Sequence, residues 1–426
     1  MIFPEQNKVF YNNVQVLNRD LSIAVISDFA RARSVEKLHK QAKKAAVAAG
    51  TEFMPKEYTE EEIDAHLAEN AESSGIKIFE ALSASGLRSI RYFQQIPGVK
   101  SILVNDMDPA AVESIKRNIE FNELPLDRVI PNEDDATDVI VANGGLLCVT
   151  CTDMAVLSGK NPEVCFSRYN SIPNKSNYLH EMALRIVLQS IEATANKYAR
   201  HIVPIAACSI DFYVRVFVRV YKSPVNVKAA MTKLSYTFQC VGCDSFHLQP
   251  LECDQCSGKF KMAGPIWSAP IHDRDVVLRI RERVAKTTTE FPTKERLHGL
   301  LTTISEELVD APLHYTLPGL SKTLHCSNPR MEQIQGAIRA AGYQASQFHK
   351  VPEAIKTNAP NDVIWDIMRC WVKKHPVTKK REGENTPGMR ILAKEPKFEA
   401  NFSSRRPAHE KEKALQPEAK KAKTEE

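Results

Sequence analysis

Two groups of residues in this 426-residue chain have the types and spacing to do chemistry. The first is Phe79-Glu80-Ala81-Leu82-Ser83-Ala84-Ser85-Gly86-Leu87-Arg88, followed about twenty residues later by Val104-Asn105-Asp106-Met107-Asp108. An apolar strand, Ile76 to Phe79, runs into a turn of small residues, where the backbone can approach a ligand closely. The turn opens a helix whose free N–H groups can face an anion. A second strand, Ser101 to Val104, ends in an acid placed to accept hydrogen bonds from ribose hydroxyls. The loop holds one glycine, Gly86, where a dinucleotide fingerprint has three. A ligand with a ribose and no phosphate fits better than a pyrophosphate, and S-adenosylmethionine (SAM) is such a ligand. An ordinary strand–turn–helix joint with a chance aspartate is the simpler alternative.

The second group is Cys240-Val241-Gly242-Cys243 with Cys253-Asp254-Gln255-Cys256. Four thiolates from two tight knuckles can surround a tetrahedral Zn²⁺, and a four-cysteine set leaves no open position for water, so its role would be structural. Cys148 and Cys151 also have C-x-x-C spacing, but they lie in an apolar run and read as small buried residues.

Other positions leave alternatives open. Asp106 is the candidate ribose acid, with Asp108 or Asn105 able to replace it; an acid before Pro109-Ala110 also reads as a helix cap. Asp135-Ala136 could meet an adenine edge or form a plain turn. Arg88 and Arg91 fall in the first turns of a helix, where positive charge opposes the dipole, so they serve either an anion or a solvated face. Arg215 and Arg219 share one strand face and, with Tyr213 and Lys222, form either a phosphate-contacting stripe or an exposed sheet edge, the latter preferred. Lys379-Lys380-Arg381 and Lys420-Lys421-Ala422-Lys423 are short basic clusters.

The elements that must position these groups alternate from Gly75 onward: strand Ile76–Phe79, helix Ser89–Gln95, strand Ser101–Val104, helix Ala110–Asn122, then strands near Val129, at Leu146–Thr150, at Val203–Ile210 and at Phe212–Val220. This order predicts an α/β fold with a mainly parallel, doubly wound sheet. Asp20 is a plausible cap for a helix over Leu21–Phe29, and residues 35–75 read as a polar helical insertion. From residue 235 the character changes. Residues 290–375 read as helices with little strand, and the Lys/Glu-rich stretch 376–426 reads as disordered.

Bulk composition excludes several classes. The hydrophobic share of 43% suits a globular core, and no apolar run reaches the length of a membrane span. Met1 to Lys8 has no signal-peptide core, which argues against secretion and makes the ten cysteines thiols or metal ligands rather than disulfides. A net charge of +5 is too mild to require nucleic acid by itself.

In combination, these residues resemble the tRNA dimethyltransferases that convert guanosine 26 to N2,N2-dimethylguanosine. The matching segments are Phe10-Tyr11-Asn12 with Leu17-Asn18-Arg19-Asp20, Glu80 to Arg91, Val104-Asn105-Asp106, Asn132 to Ala136, Gly144 to Val156, His180 to Arg185, Asp211 to Arg219, the cysteine quartet, and Gly264-Pro265-Ile266-Trp267. The resemblance implies a Rossmann-like class I SAM-dependent methyltransferase sheet over residues 1–235, a zinc-ribbon-like insert in a smaller, mainly helical RNA-interacting domain over 236–375, and the tail. It implies SAM contacts at Arg19, Arg88, Asp106, Asp135 and Ala136, structural zinc on Cys240, Cys243, Cys253 and Cys256, and tRNA as partner, with no membrane and no obligate protein partner. The compartment is nucleus or cytoplasm, with the mitochondrion open.

One departure is large. The family's fourth strand ends in Asp-Pro-Tyr/Phe-Gly, which holds the target guanine, and this chain has no such motif. Asp138-Val139-Ile140 starts such a strand, yet only eight residues separate Ala136 from Gly145. A strand plus a crossover helix needs at least about a dozen more. A segment near 140–143 is therefore expected to be missing, which leaves the catalytic residue unassigned and sets a catalytically silent, tRNA-binding isoform beside the enzyme.

Overall fold

The computed structural model describes residues 15–135, 144–247, 253–258, 260–287, 291–376 and 386–402. Phe10 to Asn12, Ala136, the junction at 140–143 and both basic clusters lie outside the described residues. The chain divides into two compact units: Met1–Ala155, Ala183–Leu234 and Pro270–Glu306 form one, and Val156–Met182, Ser235–Ala269 and Glu307–Glu426 form the other.

The first unit is built on a long helix, α1 (Val16–Ala48), followed by α2 (Glu60–Glu69). Then come β1 (Ile76–Glu80), α3 (Leu87–Gln95), β2 (Val99–Asp106), α4 (Pro109–Phe121), β3 (Val129–Glu133) and β4 (Gly145–Cys151). Helix α5 (Leu179–Asn196) leads to β5 (Arg200–Ile210), β6 (Tyr213–Lys222), α6 (Arg274–Lys286) and α7 (Lys294–Glu306). Strands β1, β2 and β3 pair in parallel in that order, as strands joined by crossover helices must. Strands β4, β6 and β5 form a separate antiparallel sheet in that order. The expected mainly parallel sheet is thus two three-stranded half-sheets. Among the described residues β1 pairs only with β2, and β4 only with β6. Strand β4, expected to be buried, is half-buried along its whole length because it is an edge.

Helix α1 packs on both half-sheets. Ile23, Ile26 and Ala30 join a core with Ile90, Ile102, Val104, Ile115 and Val129. Leu17, Leu21, Ala24 and Val25 join a second core with Ile205, Phe217, Val277 and Leu301. Burying each large aliphatic side chain of α1 contributes about 1.5–3 kcal/mol. Asp20, read as a helix cap, lies inside α1 instead: its carboxylate accepts from the backbone N–H of Thr293 at 3.0 Å and pairs with Arg91 at 2.8 Å.

The second unit holds a small sheet, β7 (Leu234–Cys240) between β8 (Phe246–His247) and β9 (Phe260–Trp267), that frames the cysteines. Its C-terminal part is less helical than expected. Strand β12 (Val351–Thr357) pairs on one side with β10 (Tyr315–Thr316) and on the other with β11 (Ala345–Phe348). Around them lie α8 (Leu317–Leu324), α9 (Met331–Ala340) and α10 (Asn361–Lys374). The short alternation in Ala345 to Thr357 is masked in sequence by its polar and charged residues, which the sheet pairs and buries: Lys356 is buried against Glu181, with 2.8 Å between Nζ and Oε1. The tail expected to be disordered contains an ordered segment, helix α11 (Pro387–Leu392), whose Ile391 is buried with Trp371 and Leu324.

Asp28 of α1 is buried and accepts two hydrogen bonds from Arg279 of α6, at 2.8 and 3.0 Å, and one from Arg283. Removing one partner of such a pair leaves uncompensated charge in the interior. Asp28→Ala is expected to lower unfolding stability by about 3 kcal/mol, read by denaturant titration.

Candidate cofactor-binding and active site

The small-residue loop after β1 forms the mouth of the parallel half-sheet. Ala84 (φ 50°) and Gly86 (φ 73°) take left-handed backbone, which glycine adopts without strain. Gly86 occupies the N-cap of α3 and has no side chain to cap it, and no acid lies in the first turn; the Glu80 carboxylate accepts from the Ser89 N–H, and the preceding N–H groups of the turn face the loop. The Asp106 carboxylate holds the loop from β2: Oδ2 accepts from the Ala84 N–H at 2.8 Å and Oδ1 from the Asp108 N–H at 3.1 Å. A carboxylate accepts about four hydrogen bonds, which leaves lone pairs for hydroxyl donors. The three neighbours Asp106, Asp108 and Asn105 have different partners. Asp108 caps α4 through the Ala110 N–H at 3.0 Å. Asn105 is buried as a tie: its Nδ2 donates to the Ala81 carbonyl at 3.1 Å and the Asp134 carbonyl at 2.9 Å, and its Oδ1 accepts from Asn132 at 2.6 Å.

Asp135 is exposed just beyond β3, whose Glu133 lies opposite Asp106 in the register. The loop, Asp106 and Asp135 therefore share the carboxyl edge of the half-sheet, where open α/β sheets bind ligands. Arg88 lies in the first turn of α3, one quarter exposed, 3.7 Å from Glu80. Arg19 is buried in α1 beside Asp20, whose carboxylate reaches Arg91 one turn along α3 from Arg88. Arg91 is thus an internal ion-pair partner rather than part of a solvated face.

Two contributors, Glu80 and Asn118, had no role in the sequence reading, and a third, Arg215, had a different one. Glu80 is buried at the end of β1, where burial pushes its carboxyl up from the ordinary range; Arg88 and a hydrogen bond from Ser89 oppose that shift. Arg215 is 2% exposed on the central strand of its sheet, so it is neither a phosphate stripe nor an edge. It donates to Thr150 at 2.7 Å and to Ser22 of α1 at 2.9 Å. Asn118 anchors the Ser85 carbonyl at 3.0 Å. The signal for Arg215 was weak: Val214, Val216, Val218 and Val220 make one face apolar, while the other alternates Arg215, Phe217 and Arg219, and only Phe217 hints that this face too is covered.

In the second unit the cysteine quartet converges. All four side chains are buried, and the Sγ atoms of Cys240 and Cys256, Cys243 and Cys253, and Cys253 and Cys256 lie 3.2, 3.5 and 3.7 Å apart. A tetrahedral zinc with Zn–S bonds of about 2.3 Å requires sulfurs about 3.8 Å apart, so the donor set fits that ion. Hydrogen bonds from Cys243 and Cys253 pull Cys240 well below the ordinary thiol range. Gly258 packs so closely that a Cβ there would sit 2.7 Å from the Cys240 sulfur.

Asn105 joins the loop to the strands on either side through three hydrogen bonds, each contributing about 1 kcal/mol. Asn105→Ala is expected to lower stability by about 2 kcal/mol, measured by urea unfolding.

Comparison with known proteins supplies the family. The model of N2,N2-dimethylguanosine tRNA methyltransferases matches in two pieces, residues 1–143 and 139–369. The mouse tRNA (guanine(26)-N(2))-dimethyltransferase is 39% identical over 96% of this chain and 72% of its own length. An Arabidopsis thaliana relative of the same name, numbered 2, is 40% identical over 95% and 82%. The Saccharomyces cerevisiae mitochondrial relative is 33% identical over 93% and 82%. The alignment with the mouse protein spans 487 positions, more than the 426 residues present here, so that relative carries segments with no counterpart in this chain. The structure of Trm1 from Pyrococcus horikoshii with S-adenosyl-L-methionine superposes with a TM-score of 0.67 at 24% identity, over 85% of this chain and 96% of that one, which establishes the fold. The chain belongs to the N2,N2-dimethylguanosine tRNA methyltransferase family.

Proposed function

We propose that this chain transfers methyl groups from SAM to the exocyclic N2 of guanosine 26 in tRNA. Family membership carries the reading, and the retained loop–helix–acid unit around Asp106 supports it. When bound, SAM supplies a sulfonium methyl that the N2 lone pair can displace in line. The protein's part is to hold donor and acceptor together, which lowers the entropic barrier. Asp106 would accept from the ribose hydroxyls. Arg88, Arg19 and the first N–H groups of α3 would meet the donor's carboxylate. Asp135 and Ala136 would border the adenine. Four cysteines would hold a structural zinc that braces the second unit. Residence in nucleus or cytoplasm is part of the proposal; one relative's name places it in mitochondria.

The silent, tRNA-binding alternative rests on two observations: Asp-Pro-Tyr/Phe-Gly is absent from the sequence, and the family match divides at 139–143. Methyl incorporation from labelled SAM into unmodified tRNA separates the readings. The proposal expects N2-methylated guanosine with this chain, and an at least tenfold weaker SAM affinity, about 1.4 kcal/mol, for Asp106→Ala. Transfer only by a version carrying the relatives' additional segment would establish the silent form.

Among the described residues no helix is long and apolar enough to cross a membrane. Metal analysis is expected to find one zinc per chain, lost in Cys243→Ser. Chelation is expected to lower the melting temperature, because binding of the ion is linked to folding of its knuckles.

A further inference from the structure

We propose that Phe212 stacks on a base of the substrate RNA next to the reacting guanosine, an inference that rests on the tRNA reading above. Phe212 sits at the tip of the hairpin between β5 and β6 and is 79% exposed. Ile210 and Tyr213 pair directly, so Asp211 and Phe212 form a two-residue turn. Asp211 has φ 46° while Phe212 has negative φ, which is the type II′ sense. Such turns favour glycine first and a small polar residue second. A phenylalanine there meets no requirement of the turn and buries little surface, so folding gives no reason for it.

The location gives one. Strand β4 ends at Cys151 and β5 at Ile210, and both run antiparallel to β6, so the tip lies on their carboxyl edge. Tyr213, the next residue, is buried in one core with Leu17 and Leu21, in the opening turns of α1 that carry Arg19 and whose Asp20 pairs with Arg91 of α3, which places the hairpin base on the side of the cofactor edge. Arg296 of α7 reaches both oxygens of Asp211, at 3.0 and 3.1 Å, and its side chain remains half exposed. An exposed aromatic face and an exposed guanidinium paired to the adjoining residue are groups that can take a nucleobase and a phosphate. To reach N2 of a stacked guanosine the protein must open the stack, and a flat side chain can replace the lost neighbour.

The test uses the full chain and an unmodified tRNA with 2-aminopurine beside position 26. Phe212→Ala is expected to weaken tRNA binding at least about tenfold and to abolish quenching of the 2-aminopurine. Phe212→Trp should restore both. SAM affinity by calorimetry and the melting temperature should match the wild type in both variants. Wild-type affinity and quenching in Phe212→Ala would overturn the inference and leave the tRNA reading intact. Equal losses in Phe212→Ala and Phe212→Trp would also overturn it, because a stacking role tolerates any aromatic. A wild-type chain that binds SAM and no tRNA would overturn the reading and this inference with it.

Discussion

The first unit depends on the opening turns of α1 being held from two directions. Asp20 pairs with Arg91 of α3, on the side of the parallel half-sheet. Two residues on either side, Asn18 and Ser22 meet Thr150 of β4 and Arg215 of β6, in the antiparallel half-sheet. No ladder hydrogen bond joins β1 to β4 among the described residues, so these polar contacts and the two apolar faces of α1 hold the half-sheets in one body. Asp20 and Arg91 balance each other at this depth, and replacing either strands the charge of the other. The same turns carry Arg19, so the cofactor edge inherits its geometry from the staple.

Local patterns were legible in the sequence. The small-residue loop, the acid closing β2 and the cysteine spacing each depend on neighbours a few residues away, and the structure assembles the loop around Asp106 and brings the sulfurs together. What the sequence concealed depends on distant partners. Asp20 looks like a cap because acids precede many helices; its actual partners, Arg91 and Thr293, are contributed from far along the chain. Arg215 looks exposed because arginine usually is, until Ser22 and Thr150 enclose it. The strands of the C-terminal part escaped because Lys356 and Glu353 break the apolar alternation, and the pairing of β12 on both sides overrides local propensity.

The second unit shows another way to stabilise a modest core. The cysteines belong to one buried core with Trp365, Ile334 and Leu320, so the knuckles and the C-terminal helices share one interior. Ser245, two residues past Cys243, accepts from the Trp365 indole at 2.7 Å. Glu181 gathers the Leu313 N–H, His314 and Lys356 in the same unit. Order at the sulfurs is therefore transmitted to the helices by contact.

The division of the sheet bears on how this chain tolerates change in length. Each half-sheet completes its own ladder, so adding or losing chain between residues 135 and 144 breaks no existing strand pair. Surface loops accept insertions because they carry few obligatory hydrogen bonds. The described strand pairs lie wholly within one half-sheet or the other, so each half keeps its own ladder whatever length of chain joins them.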